Sequence, residues 1–170
     1  MNNKIIQHVK VHLPHQTLPS ATVWIANGKL KRIQPTQELE NIEVDAERID
    51  GKGMWLLPGM IDVHIHGANG YDMMDGTEDS IQEVSRACAA TGCTSFLATS
   101  VSSTMEDLLN MIRSVKSVIG REQGARIAGI HLEGPYLNPK RKGMQNEKYL
   151  RHPNLEEIKL IFQEAGSLIK

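Results

Sequence analysis

From Gly53 to the last residue, apolar β-rich runs alternate with longer segments whose apolar residues recur at helical spacing. This alternation constrains the fold most, because a strand followed by a helix long enough to return it gives parallel βα units. Residues 61–65 form the first run, apolar and β-branched except at Asp62 and His64. Thr77-Glu78-Asp79 then opens a helix, its acidic residues favourable beside the positive end of the helix dipole. Ile81, Val84 and Cys88 line that helix's apolar face, and Gly92 stands where a helix-terminating glycine belongs. Residues 94–101 read as the next strand. Thr104 with Asp107 starts a second helix in capping-box fashion, with Leu108, Met111, Val115 and Val118 facing inward. Residues 127–132 make a third strand. Asn154 caps a third helix with Glu157 at the box position, Leu155, Ile158 and Phe162 facing inward and Gly166 closing it. Residues 167–170 read as the start of a fourth strand.

The first fifty or so residues follow another rule. Ala21-Thr22-Val23-Trp24-Ile25 is β-rich and runs into Asn27-Gly28, a dipeptide suited to a type I′ turn because both central positions need positive φ. Lys29-Leu30-Lys31-Arg32-Ile33 returns as a second strand, and residues 43–49 alternate loosely. The expected organisation is therefore a small antiparallel β unit over residues 1–53 and βα units over 54–170. Three complete units and a severed fourth cannot close an eight-unit barrel, and Lys170 is a poor place for a domain to end. The chain reads as the leading part of a longer protein.

Composition narrows the partners. A hydrophobic share of 40% with 23% charged residues is that of a soluble globular chain. A net charge of -1 leaves no basic excess to neutralise phosphates, and 4% aromatics offer few stacking platforms, so nucleic acid is not an expected partner. The N-terminus lacks a secretion-type apolar stretch, and the apolar region from Met54 to Ile65 is broken by Pro58, Gly59 and Asp62. The expectation is a cytoplasmic protein without a membrane partner. Cys88 and Cys93 lack the spacing of a zinc knuckle and are expected to be packed, unpaired thiols.

Two segments carry chemistry. In Leu57-Pro58-Gly59-Met60-Ile61-Asp62-Val63-His64-Ile65-His66-Gly67, the histidines are two apart on a strand and aim at the same side. Neutral imidazole suits borderline divalent ions. An arbitrary His-x-His is more often an accident of alternation, but here the strand is otherwise apolar and burying two unpartnered imidazoles would be costly. In Gly129-Ile130-His131-Leu132-Glu133-Gly134-Pro135-Tyr136, a carboxylate directly follows an apolar strand. Taken alone, Glu133 is equally well a loop carboxylate reaching solvent.

Together these segments bear a resemblance. Residues 58–66 resemble the first-strand motif of the amidohydrolase superfamily. His131-Leu132-Glu133-Gly134-Pro135-Tyr136, followed by Pro139-Lys140-Arg141-Lys142-Gly143-Met144-Gln145, is similar to the narrower pattern of the N-acetylglucosamine-6-phosphate deacetylase family, as is Ser95-Phe96-Leu97-Ala98-Thr99. The resemblance implies an α/β fold, an incomplete (β/α)₈ TIM-type metallohydrolase barrel preceded by the N-terminal part of a small β-sandwich domain. It implies hydrolysis of the acetamide of N-acetylglucosamine 6-phosphate by a metal-activated water, with zinc or iron as the divalent metal ion and one or two ions per site. By motif, Glu133 is the shared metal ligand, and His64 and His66 match ligands of a second metal position. Met144 and Gln145 match a segment that contacts substrate, although many relatives have histidine where Gln145 stands. The family's proton-transferring aspartate and two further histidine ligands are expected beyond Lys170, so no catalytic acid/base is assigned within this chain. A homo-oligomer is implied for the full-length protein. The alternatives are a truncated inactive fragment, or an amidohydrolase acting on a different amide such as a cyclic one. Asp62 and His131 are expected to orient the site rather than ligate. Lys140-Arg141-Lys142 is read as a solvated loop in preference to a phosphate site, and His8, His12, His15 and His152 as unconnected with the metal.

Overall fold

The Asn27-Gly28 turn has the backbone its sequence demands, with φ of 53° and 71°, and it sets Ala26 opposite Lys29 in a two-residue hairpin. In the computed structural model, which describes residues 3–36 and 45–170, this hairpin belongs to the first of two compact units, Met1–Pro58 and Gly59–Lys170. The first unit is one sheet built from β1 (Lys4–Leu13), β2 (Gln16–Ala26), β3 (Lys29–Pro35), β4 (Glu47–Asp50) and β5 (Trp55–Leu56). Its order is β3-β2-β1-β4, with β5 also on β1. The first three strands pair antiparallel, whereas β4 and β5 run parallel to β1. The expectation of a purely antiparallel unit is corrected here: the chain between β3 and β4 is long enough to return to the starting end of the sheet, which a tight hairpin cannot do. Val9, Val11, Ala21 and Val23 form the buried face. The alternating run expected over residues 43–49 contributes β4 from Glu47; Glu43 and Val44 lie outside the described residues.

The second unit contains β6 (Met60–Ile65), a short ribbon of β7 (Gly67–Ala68) and β8 (Tyr71–Asp72), α1 (Glu78–Ala90), β9 (Cys93–Thr99), α2 (Met105–Val118), β10 (Arg126–His131) and α3 (Leu155–Ala165). Strands β6, β9 and β10 form a parallel sheet in the order β10-β9-β6. The Thr77 hydroxyl caps α1 by accepting from Ser80 N–H, and Thr104 caps α2 by accepting from Asp107 N–H. Ile81, Val84 and Cys88 of α1 and Met111, Val115 and Val118 of α2 pack with Phe96, Ala98, Ile127 and Ile130 of the sheet. Beyond α3, Ile169 bridges Ile130 in parallel, where the fourth strand was expected to start.

α3 presents a different face from the expected one. Ile161 and Ala165 are buried and Ile158 partly so, while Leu155 and Phe162 are 73% and 54% exposed. Both sets recur at helical spacing, and contact with α2 selects the second. Asn154 caps the helix through Glu156 and Glu157 N–H, but the Glu157 carboxylate does not complete a box; it binds Arg151 and Tyr136 instead. Cys88 and Cys93 are free thiols, and burial pushes the Cys88 thiol up to about 11, as befits an unreactive packing group. Among the described residues no helix is long and apolar enough to cross a membrane.

Candidate metal centre

In a parallel sheet all strands deliver their C-terminal ends to one side, and here that side is laced together by short hydroxyl side chains. At the end of β9, the Thr99 hydroxyl accepts from Ile65 N–H of β6 at 3.0 Å. Ser100 N–H donates to the His131 carbonyl at 3.0 Å, while its hydroxyl accepts from Glu133 N–H at 3.0 Å and donates to the Glu133 carbonyl at 3.3 Å. Asp62 accepts from His64 N–H at 3.0 Å. Gly134, at φ +72°, allows the chain to turn immediately after Glu133; a Cβ there would also stand 2.1 Å from the Ser102 hydroxyl. Thr99, Ser100 and Ser102 were not singled out from the sequence, although hydroxyls clustered just after an apolar strand are a usable signal for side chains that bind neighbouring backbone.

This lacing brings His64, His66 and Glu133 together. Glu133 Oε2 lies 2.9 Å from His64 Nε2 and 3.3 Å from His66 Nε2, and the two imidazole nitrogens are 3.1 Å apart. The rings stand edge to face, with centroids 4.9 Å apart. The His131 ring packs on His64 at 4.7 Å between centroids, and its Nδ1 lies 3.1 Å from the Val63 carbonyl, which requires the proton on that nitrogen. His131 therefore steadies the first imidazole, and Asp62 steadies its backbone.

The donor set suits a divalent cation. Glu133 Oε2 is buried within ion-pair distance of both rings but makes no directed hydrogen bond with either. A single proton cannot satisfy three mutually close basic atoms, whereas one cation can accept all three lone pairs. Four ligands placed tetrahedrally at about 2.0–2.1 Å from zinc would be about 3.3 Å from one another. The observed separations of 2.9, 3.1 and 3.3 Å are close to that spacing. Among the described residues this is the one group of three or more His, Cys, Asp or Glu side chains arranged to hold a metal ion.

The two residues expected to touch substrate part company. Met144 is 74% exposed, whereas Gln145 is 1% exposed and its amide is engaged by protein at both ends. It donates from Nε2 to Glu133 Oε1 at 2.6 Å and accepts at Oε1 from Ser102 N–H at 2.6 Å. Both polar atoms of the Gln145 side chain are thus taken up by protein, while Met144 beside it is open to solvent. Lys140 and Arg141 are exposed, as a solvated loop requires, while Lys142 Nζ donates to the Gln145 carbonyl at 3.0 Å. His8 pairs with Asp50 and His12 with Thr17, so neither is available to the centre.

The loop beyond Glu133 is tied back by a second polar cluster. Arg151 N–H donates to the Pro135 carbonyl and its guanidinium donates to the Ser103 carbonyl and to Glu157. The Tyr136 hydroxyl donates to Glu157 at 2.8 Å. Burial alone would raise the Glu157 carboxyl, but the bonds from Arg151 and Tyr136 outweigh it and hold it below its ordinary value. Burial, reinforced by the adjacent Glu157 carboxylate, pushes Tyr136 up to about 12.

Comparison with known proteins shows the family to which the chain is similar. Residues 55–170 match the model of the amidohydrolase family. The N-acetylglucosamine-6-phosphate deacetylase of Bacillus subtilis (strain 168) is 32% identical, over 98% of this chain and 42% of its own length. The crystal structure of the enzyme of that name from Pasteurella multocida superposes with a TM-score of 0.85 at 22% identity, covering 98% of this chain and 43% of that one. The Thermotoga maritima structure gives 0.71 at 29% identity, over 91% and 39% of the two chains. The chain thus spans about two fifths of the length of these relatives. A family match over most of its length, on a parallel βα unit, makes this chain a member of the amidohydrolase family.

Proposed function

We propose that the protein to which these residues belong hydrolyses the acetamide of N-acetylglucosamine 6-phosphate, giving glucosamine 6-phosphate and acetate. The proposal concerns a protein of the relatives' length. One observation carries it: two imidazole nitrogens and one carboxylate oxygen meet within 2.9–3.3 Å at the C-terminal ends of β6 and β10. Catalytic sites of (β/α)₈ barrels occupy that end of the strands, and such a barrel, with a small β-sandwich contributed in part by the first unit, is the proposed architecture. The family match and the shared name of the relatives support the choice of substrate class.

In this reading His64, His66 and Glu133 hold a divalent ion, zinc or iron, with room in the proposal for a second. When bound, such an ion lowers the pKa of a water ligand from 15.7 toward about 7 and polarises a carbonyl oxygen. The chain's own residues set the scene for that chemistry. Glu133 and the histidines present lone pairs, Asp62 and His131 hold His64 in place, and Ser100 fixes the backbone at Glu133. Backbone groups at the exposed Met144 are the proposed contact with the sugar. The amine must be protonated as it leaves, and we assign no residue of this chain to that step. The test is a substrate panel with full-length, metal-loaded protein. Acetate release from N-acetylglucosamine 6-phosphate, well above that from the unphosphorylated sugar, is expected. Turnover of non-sugar amides alone would contradict the assignment.

A further inference from the structure

We propose that Gln145 is a positioning residue that restricts Glu133 to a single ligating oxygen. The inference rests on the reading that His64, His66 and Glu133 hold a divalent ion. A carboxylate binds such ions through one oxygen or both. Here Glu133 Oε1 accepts from Gln145 Nε2 at 2.6 Å, while Oε2 alone faces the histidines. The orientation of the Gln145 amide is itself determined by its partners. Its oxygen accepts from Ser102 N–H at 2.6 Å, so exchanging oxygen and nitrogen would set N–H against N–H and oxygen against carboxylate. Its backbone is held as well, by donation to the Lys142 carbonyl and acceptance from Lys142 Nζ. At 1% exposure the side chain has no water to exchange these partners for.

The consequence is chemical. An oxygen withheld from the ion leaves a coordination position for water or substrate, which a catalytic site needs. The same side chain ties the segment that displays Met144 to the ligand itself.

The test uses full-length protein with Co²⁺ as the probe, read by its visible absorption and by chelator competition. Gln145→Met fills the volume but can neither donate to Glu133 nor accept from Ser102. It is expected to weaken Co²⁺ binding on the order of 10–100-fold, the range for losing a hydrogen-bond partner of a metal ligand. Its visible band should weaken as the freed Oε1 joins the ion and raises the coordination number, a change that lost packing alone would not produce. A Gln145→Met protein with wild-type band and affinity would overturn the inference. A crystal structure of the zinc-loaded wild type decides the matter even if that variant does not fold. Glu133 Oε1 is expected to stay on Gln145, and both oxygens within about 2.2 Å of the ion would overturn the inference. Wild-type protein that takes up no metal would overturn this inference and the metal-site reading together, whereas normal uptake with an unaltered variant sinks this one alone.

Discussion

Glu133 and His66 approach to 3.3 Å in the candidate centre, yet their surroundings differ. Glu133 is tied at its N–H and carbonyl by Ser100 and at Oε1 by Gln145, leaving Oε2 as its one unengaged polar atom. His66 has a buried Nδ1 with no hydrogen-bond partner, and its Nε2 meets only the other members of the cluster. The carboxylate half is thus preorganised by the protein. The imidazole half gains its main satisfaction when a cation arrives. A buried nitrogen without a partner costs free energy in the apo state, so the two halves should respond unequally to substitution before metal is added.

Replacing the ligands themselves should have the largest effects. Glu133→Gln removes the charge while keeping the shape, and divalent-metal affinity by chelator competition is expected to fall more than ~100-fold, beyond the cost of losing a ligand's hydrogen-bond partner. An affinity within tenfold of wild type would mean that the carboxylate is not a ligand. Next comes the contrast in metal-free stability. Ser100→Ala leaves the Glu133 N–H unsatisfied and should cost about 1–3 kcal/mol in denaturant melts. His66→Asn should cost less than about 1 kcal/mol in the same metal-free melt, since the one bond lost, between the Nε2 atoms of His64 and His66, is exposed, while removing most of the stabilisation that added zinc confers. Equal metal-free losses for Ser100→Ala and His66→Asn would erase the distinction between the two halves.

The smallest expected effect lies at the outer tie of the carboxylate loop. Tyr136 has its folded-state pKa raised from 10.0 to about 12, so its contribution is complete below pH 10 and is lost as pH rises toward 12. Stability measured across that window should decline more steeply in wild type than in Tyr136→Phe, and parallel declines would remove Tyr136 from the account.

How much of this was legible in the sequence depended on how local its cause was. The Asn27-Gly28 hairpin and the Thr77, Thr104 and Asn154 caps follow from residues within a turn of one another. The meeting of His64 and His66 follows from the two-residue period of a strand, and Glu133 joins them because parallel strands end on one side. The inward face of α3 was not legible. Leu155 with Phe162 and Ile161 with Ala165 are both at helical spacing, and only contact with the rest of the unit chooses between them. The family motif pairs Met144 with Gln145, and a loop carries no periodicity to show that one is exposed and the other buried. Nor does the spacing of Thr99 and Ser100 reveal that their hydroxyls reach across to β6 and to Glu133.

Diffraction from crystals of the full-length protein grown with zinc, recorded at the zinc absorption edge, tests the account most directly. The predicted result is an anomalous peak within about 2.0–2.2 Å of His64 Nε2, His66 Nε2 and Glu133 Oε2 together. Strong zinc peaks elsewhere, with these three side chains still in contact only with one another, would contradict it.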